Sequence, residues 1–289
     1  MTHIVTEKSP LLEYLLKHFT AIKKIKIKQF LKHGAITVNG IVTTKHNHPL
    51  RPGDKIDFLT KASSLKERLK TYLSFPIVYE DEWLIVIDKP AGLLTMGTDK
   101  DKFHTAYYEI TDYVRAQTKD GQGRIFIVHR LDRESSGLVV FAKSMAVKTK
   151  LQAEWSEAVK KYFAVVEGVP RKPEGKIESY LVEDSFKRVY STSERSREAK
   201  HAVTLYRLLR HNAGLALLDI TLITGRKNQI RVHLADLGHP IIGDVKYDSL
   251  QNPARRLGLH AHTLSFRHPQ TGEIKTFESP LPDSLAKIL

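Results

Sequence analysis

The chain contains no cysteine. That excludes disulfide scaffolds, cysteine-ligated zinc, iron–sulfur clusters and thiol nucleophiles, and it fits a reducing compartment. Long apolar runs are missing too. The longest, such as Gly137-Leu138-Val139-Val140-Phe141-Ala142, fall far below the ~20 residues of a membrane-spanning helix. Near the N-terminus Glu7, Lys8, Glu13 and Lys17 interrupt the apolar positions, which a secretory signal does not tolerate. A cytoplasmic protein with no membrane partner is expected. Repeats and low-complexity tracts are absent. Acidic residues are in deficit: 32 Asp and Glu face 46 Lys and Arg, a net charge of +14. What is present is 289 residues, 41% of them hydrophobic, enough to bury a core in one or two domains.

A basic excess of this size favours a polyanionic partner, because Lys and Arg displace counterions from phosphates. The charge is densest in residues 1–60, which hold ten Lys and Arg against four Asp and Glu. Leu11, Leu12, Leu15 and Leu16 recur at helical spacing. A second helix is expected from about Ile22 to Lys32, with Ile22, Ile25, Ile27, Phe30 and Leu31 turned inward and Lys23, Lys24, Lys26, Lys28 and Lys32 outward. Gly34 stops it. A strand over 35–38, a hairpin turn at Asn39-Gly40 and a second turn at Pro52-Gly53-Asp54 follow. Spacing alone leaves two readings open, a helix–hairpin cap with solvated lysines or an RNA-binding module. The arrangement resembles the αL-type (S-four-like) RNA-binding domain, and that resemblance implies RNA contacts by Lys23, Lys24 and Lys28. The organisation expected is an RNA-binding domain at 1–60, a basic linker at 61–74 and a larger domain at 75–289.

In the larger domain, short apolar runs at 84–87, 125–128 and 138–142 read as buried strands. A helix is expected over about 144–159, with Val147, Leu151 and Trp155 on one face, and alternating residues around Tyr162 form another strand. A short helix over 228–237 should bury Ile230, Leu234 and Leu237, with Gly238 and Pro240 ending it. The fold class is α+β, built on a mixed, mostly antiparallel sheet with flanking helices.

Two polar clusters stand out. Asp132 lies between two apolar strands with Arg130 and Arg133 beside it, where partial desolvation disfavours the ionised carboxylate unless a cation holds it. Taken alone, it reads first as a turn residue paired to Arg133. The run from Thr224 to His233 places Arg226, Lys227 and Arg231 around the start of a helix, a favourable place for anions. Alone, it reads equally as a basic helix start facing water.

Together the clusters resemble the RluA-type pseudouridine synthases from Ile77 to the C-terminus. The central motif stands as His129-Arg130-Leu131-Asp132-Arg133-Glu134-Ser135-Ser136-Gly137-Leu138, with Ser135 where Thr is usual. Lys89-Pro90-Ala91-Gly92-Leu93, Lys161-Tyr162-Phe163-Ala164-Val165-Val166-Glu167-Gly168, the Thr224-to-His233 run, and Leu259-His260-Ala261 with Phe266-Arg267-His268-Pro269 complete an ordered set. The resemblance implies conversion of uridine in RNA to pseudouridine, with the glycosidic bond cut at nitrogen 1 and remade at carbon 5. It implies Asp132 as the catalytic carboxylate, either as nucleophile or as base toward the sugar. Arg231 would be its ion-pair partner, and Tyr162 would stack on the base and assist proton removal from carbon 5. Arg130 would fill the space left by a flipped uridine, and His129, Arg226 and Lys227 would contact RNA. Being an isomerisation, the reaction implies no cofactor. Ribosomal RNA of the large subunit is the favoured substrate, transfer RNA the second, and a monomer is implied.

Other constellations are weaker. His46/His48 and His260/His262 are spaced to share a strand face and bind a metal, but with no cysteine and no acidic third ligand in register they read as surface or packing histidines. Gly121-Gln122-Gly123 lacks the strand–loop–helix setting of a dinucleotide site. Rival functions are a non-catalytic RNA-binding or chaperone protein on the same fold and a metal-dependent nuclease.

Overall fold

Asn39 and Gly40 both take positive φ, 52° and 77°, the backbone that a two-residue hairpin turn requires. The Asn39 side chain ties this turn to the second one, accepting from Lys55 N at 2.9 Å and donating to Asp54 at 2.9 Å. The computed structural model describes residues 2–32, 34–58, 73–98, 101, 103–118, 122–193 and 195–289. The expected linker, but for 73–74, and Gly121 of the expected Gly-Gln-Gly turn lie outside the described residues. The chain divides into two units, Met1–Ile77 with Met96–Phe126, and Val78–Thr95 with Ile127–Leu289.

The first unit contains β1 (Thr2–Ile4), β2 (Ser9–Pro10), α1 (Leu11–His18), α2 (Lys24–Lys32), β3 (Ile36–Val38), β4 (Ile41–Val42), β5 (Pro49–Leu50), β6 (Lys55–Phe58) and α3 (Ala106–Gln117). Strands β1-β6-β3-β4 form an antiparallel sheet. Leu11, Leu15, Ile27, Leu31, Ile36 and Ile56 are buried together under it. The expected division of α2 into apolar inside and basic outside needs correction. Ile25 is 60% exposed, whereas Lys26 and Gln29 are buried. The cause is α3, which offers polar partners to that side of α2. Lys32 pairs with Asp112, Gln29 donates to the same carboxylate at 3.4 Å, and Lys26 donates to the carbonyl of Thr118. Lys23, Lys24 and Lys28 are exposed, as expected.

The second unit is built on β7 (Ile77–Glu80), β8 (Leu84–Lys89), β10 (Ser136–Ala142), α4 (Met145–Ala153), β11 (Val159–Glu167), β12 (Glu174–Glu183), β13 (Val189–Thr192), β14 (Lys200–Asn212), β15 (Leu215–Leu222), α5 (Gln229–Asp236), β16 (Leu259–Arg267), β17 (Ile274–Glu278) and α6 (Asp283–Ala286). Strand β9 (Phe126–Ile127) lies where the chain passes between the units. The sheet runs β13-β12-β14-β15-β11-β16-β10-β8-β7, with β17 on β16. It is mixed and mostly antiparallel: β10 pairs antiparallel with β8 but parallel with β16. Residues 84–87 and all of β10 are buried, which explains their unbroken apolar runs. Helix α4, capped by Ser144 accepting from Val147 N at 3.2 Å, ends at Ala153 rather than near 159. Trp155 therefore leaves the helical face and packs instead on His129, with ring centroids 4.6 Å apart. In α5, Ile230 and Leu234 are buried, but Leu237 is 36% exposed because the helix has ended. Among the described residues no helix is long and apolar enough to cross a membrane.

Candidate active site

Asp132 sits on the short connection into β10, and the backbone on both sides of it is held. Before it, Leu131 N donates to Thr95 Oγ1 at 3.2 Å while Thr95 Oγ1 donates to Leu131 O at 2.9 Å. After it, the fully buried Lys89 ammonium donates to the carbonyls of Arg133 and Ser135 at 3.3 and 2.6 Å, and to those of Pro90 and Leu93 at 2.9 and 2.8 Å. Burial pulls the Lys89 pKa down to about 7, with the Glu134 carboxylate working the other way. Gly92, at φ 86°, donates to Arg133 O at 2.8 Å, and Arg133 Nε returns a bond to Gly92 O at 3.1 Å. Arg133 is thus a clamp between two loops, not the partner of Asp132.

That partner is Arg231. Its Nη1 lies 3.2 Å from Asp132 Oδ2, and the two side chains are 11% and 31% exposed. The guanidinium also forms a two-pronged pair with Asp244, Nε and Nη2 each at 2.7 Å, and lies 5.0 Å from the centre of the Tyr247 ring. Burial opposes its charge, but the bonds and charge of Asp244, then of Asp132, more than offset this and hold the guanidinium pKa above its usual value. The helix that carries Arg231 starts after Asn228, a left-handed residue at φ 54°. Asn228 Nδ2 donates to Tyr247 Oη at 2.9 Å.

Asp132, Tyr162, Arg130, Arg226, Lys227 and Arg231 all line one open cleft of about 200 Å³. Tyr162 comes from β11 and packs against Ile220, Ile230 and their neighbours. Burial, reinforced by the Asp132 charge, raises the pKa of its phenol. Arg130 is exposed. Arg226 Nε donates to His201 O at 3.0 Å, and Lys227 pairs with Glu183. His129 does not line the cleft: its Nε2 accepts from Val140 N at 3.2 Å, and burial, then Lys160, lowers its pKa to about 3. Lys23, Lys24 and Lys28 belong to the first unit. Of the histidine pairs, His46 is exposed and His48 half-buried, His260 is bonded between Ser136 and Ser279, and His262 bonds Asp219 at 3.1 Å and stacks on Phe163. Among the described residues no three His, Cys, Asp or Glu groups are arranged for a metal.

Sequence reasoning missed Asp244, Thr95 and Tyr247 and gave Lys89 no role. Asp244 carried a usable signal, since it follows the apolar pair Ile241-Ile242 much as Asp132 adjoins apolar strands. Chemically, the cleft presents a partly open carboxylate fixed beside one cation, a neutral phenol ring, and exposed arginines at its margin. Such a set can bind an anionic chain, stack a planar ring and bring a carboxylate to it.

Residues 83–236, which include Asp132, Tyr162 and Arg231, match the RNA pseudouridylate synthase family. The chain is 32% identical over 278 residues to "Uncharacterized RNA pseudouridine synthase YlyB" of Bacillus subtilis (strain 168), covering 92% of this chain and 88% of that protein. It is 32% identical over 290 residues to "Ribosomal large subunit pseudouridine synthase D" of Vibrio cholerae, covering 93% and 87%. The solved structure "Human RNA Pseudouridylate Synthase Domain Containing 4" superposes with a TM-score of 0.60 at 27% identity, over 78% of this chain and 94% of that one. The chain belongs to the RluA-type RNA pseudouridine synthases, enzymes that isomerise uridine in RNA.

Proposed function

We propose that this enzyme isomerises specific uridines of large-subunit ribosomal RNA in the cytoplasm, with Asp132 as the catalytic carboxylate. The observation that carries the assignment of Asp132 is its single, off-centre ion pair. Arg231 engages Oδ2 alone, so the carboxylate is anchored beside a cation while its other oxygen is left for the substrate. Asp132 acts as nucleophile or as base toward the sugar. The bond from nitrogen 1 to the ribose breaks, the carbon 5 bond forms, the carbon 5 proton leaves to water and nitrogen 1 gains one. Tyr162 supplies a stacking face. Its raised pKa favours the neutral phenol at physiological pH, which argues against a phenolate base. Arg130 fills the gap left by the flipped uridine, and Arg226 and Lys227 contact the backbone. The basic first unit, with Lys23, Lys24 and Lys28 exposed on or beside α2, acts as the αL-type RNA-binding domain. The ribosomal choice rests on that unit and on similarity to proteins named for large-subunit RNA.

The test uses ribosomal RNA and transfer RNA carrying carbon-5-tritiated uridine, prepared from cells that lack this gene, with EDTA present. Tritium release from the ribosomal RNA is expected, and Asp132→Asn should abolish it while leaving RNA affinity within about threefold. Release from transfer RNA alone moves the substrate assignment. Product from Asp132→Asn removes the catalytic role, and tight salt-sensitive binding without any release points to a non-catalytic RNA binder.

A further inference from the structure

Behind the cleft, on the far side of Arg231, lies a second carboxylate that the reaction does not itself require. Arg231 gives its better geometry to Asp244: the two-pronged pair at 2.7 Å is the strong form of an arginine–carboxylate contact, and the bond to Asp132 is single and longer, 3.2 Å. The Asp244 side chain is only 1% exposed, so it does not meet substrate. The backbone is shaped to put it there. Gly243 takes φ 73°, and a Cβ at that position would lie 2.4 Å from the carbonyl oxygen of Arg256, so only glycine fits the turn. The carbonyl of Asp244 then accepts from Tyr247 N and Ser249 N at 3.0 and 3.1 Å. This closes a single helical turn that lays the Tyr247 ring against the guanidinium. Tyr247 is in turn fixed through its hydroxyl, which accepts from Val189 N at 3.3 Å and Asn228 Nδ2 at 2.9 Å.

We infer that Asp244 is a positioning residue for the isomerisation, acting on Asp132 only through Arg231. It fixes the fork so that Nη1 alone reaches Asp132, and it takes up much of the cation's attraction. Without it, the fork is free to turn and grip both oxygens of Asp132. A carboxylate with both oxygens in charged hydrogen bonds is a poorer nucleophile and a poorer base. Tyr247 is the wall that keeps the guanidinium plane from rotating. The inference rests on the reading of Asp132 as the catalytic carboxylate.

The experiment is a double-mutant cycle on the full chain. It follows single-turnover tritium release from RNA containing carbon-5-tritiated uridine, RNA affinity and thermal melting, with Asp132→Asn as control. Asp244→Asn is close to isosteric. It should slow release by about tenfold or more while RNA affinity stays within about threefold. In an Arg231→Gln background the same change should cost less than about threefold, because the residue through which it acts has gone. A purely structural role for Asp244 predicts equal losses in both backgrounds, and that additivity overturns the inference. So does a folded Asp244→Asn enzyme working at the normal rate. If Asp244→Asn alone does not fold, Arg231→Gln is compared with Arg231→Gln/Asp244→Asn, whose buried pair is neutral; a further loss above about tenfold in the double variant is again disproof. Should Asp132→Asn retain activity, the catalytic reading falls first. If Asp132→Asn is inactive and Asp244→Asn is normal, only the positioning role is lost.

Discussion

Lys89 is fully buried, and its ammonium meets four backbone carbonyls, two of them in the segment just after Asp132. Burial disfavours the charge, as its pKa near 7 records, and the four acceptors work in the opposite direction. The acceptors should win, because losing the ammonium strands several buried carbonyls at once. Lys89→Met, which keeps the volume, is expected to lower stability by about 2 kcal/mol and to slow tritium release with little change in RNA affinity. A Lys89→Met enzyme that melts higher than the parent would show that desolvation outweighs the bonds. Residues of this kind explain how far the site could be read in advance. Asp132 and Arg231 betray themselves locally, one as a carboxylate between apolar runs, the other as a cation at the edge of a helix's buried stripe. Their 99-residue separation is closed only by the motif order. Lys89 and Thr95 work by bonding carbonyls and an N–H, and main-chain groups carry no side-chain signature in a sequence.

Among elements, the parallel contact of β10 with β16 decides where Asp132 points. It is short, with Ser136 opposite His260 and Gly137 opposite Ala261. Gly137 has φ 112°, and an added Cβ would lie 2.2 Å from the Ala261 carbonyl oxygen and 2.6 Å from its nitrogen. Backbone cannot yield as a side-chain tip can, so Gly137→Ala should cost about 3 kcal/mol or more. Gly214 is the control: its φ is 79° but nothing lies within 4 Å, so Gly214→Ala should cost only about 1 kcal/mol. Equal melting losses in the two would mean that torsional strain, not crowding, dominates at 137. The buried strands β8 and β10 were legible because an unbroken apolar run serves a strand covered on both faces. Helix α2 was half legible. Its pattern reports one apolar face, whereas the polar face is also occupied by Asp112 and the Thr118 carbonyl from 80 or more residues away. The end of α4 was overrun because Trp155 and Val159 continue a helical spacing while serving a turn and a strand.

At the scale of the whole molecule, four segments far apart in sequence are stitched together by one polar chain whose directions suit a neutral histidine. Arg256 donates to Ser136 Oγ, Ser136 Oγ donates to His260 Nδ1 at 2.8 Å, His260 Nε2 donates to Ser279 Oγ at 3.0 Å, and Ser279 donates to Asp88. The chain joins β8, β10, β16 and the segment after β17. Burial, followed by the Arg256 charge, lowers the His260 pKa to about 4; burial likewise lowers His233 and His262. In the unfolded chain His260 returns to the ordinary value of 6.5. Above that pH neither state binds the proton, and the stabilisation is complete. As pH falls below it, the unfolded chain takes up a proton that the folded protein refuses until about pH 4. Stability is therefore lost across that window at up to about 1.4 kcal/mol per pH unit for each such histidine. The same protons add to a chain already at +14, and the extra repulsion acts in the same direction. Urea unfolding between pH 7 and 4.5 should show the loss. His260→Gln, though less stable at pH 7 because it weakens the chain of bonds, should show a slope shallower by roughly one proton. An unchanged slope in that variant would mean that His260 takes up its proton at the same pH in the folded protein as in the unfolded chain, with Nδ1 then donating to Ser136 Oγ in the protonated form.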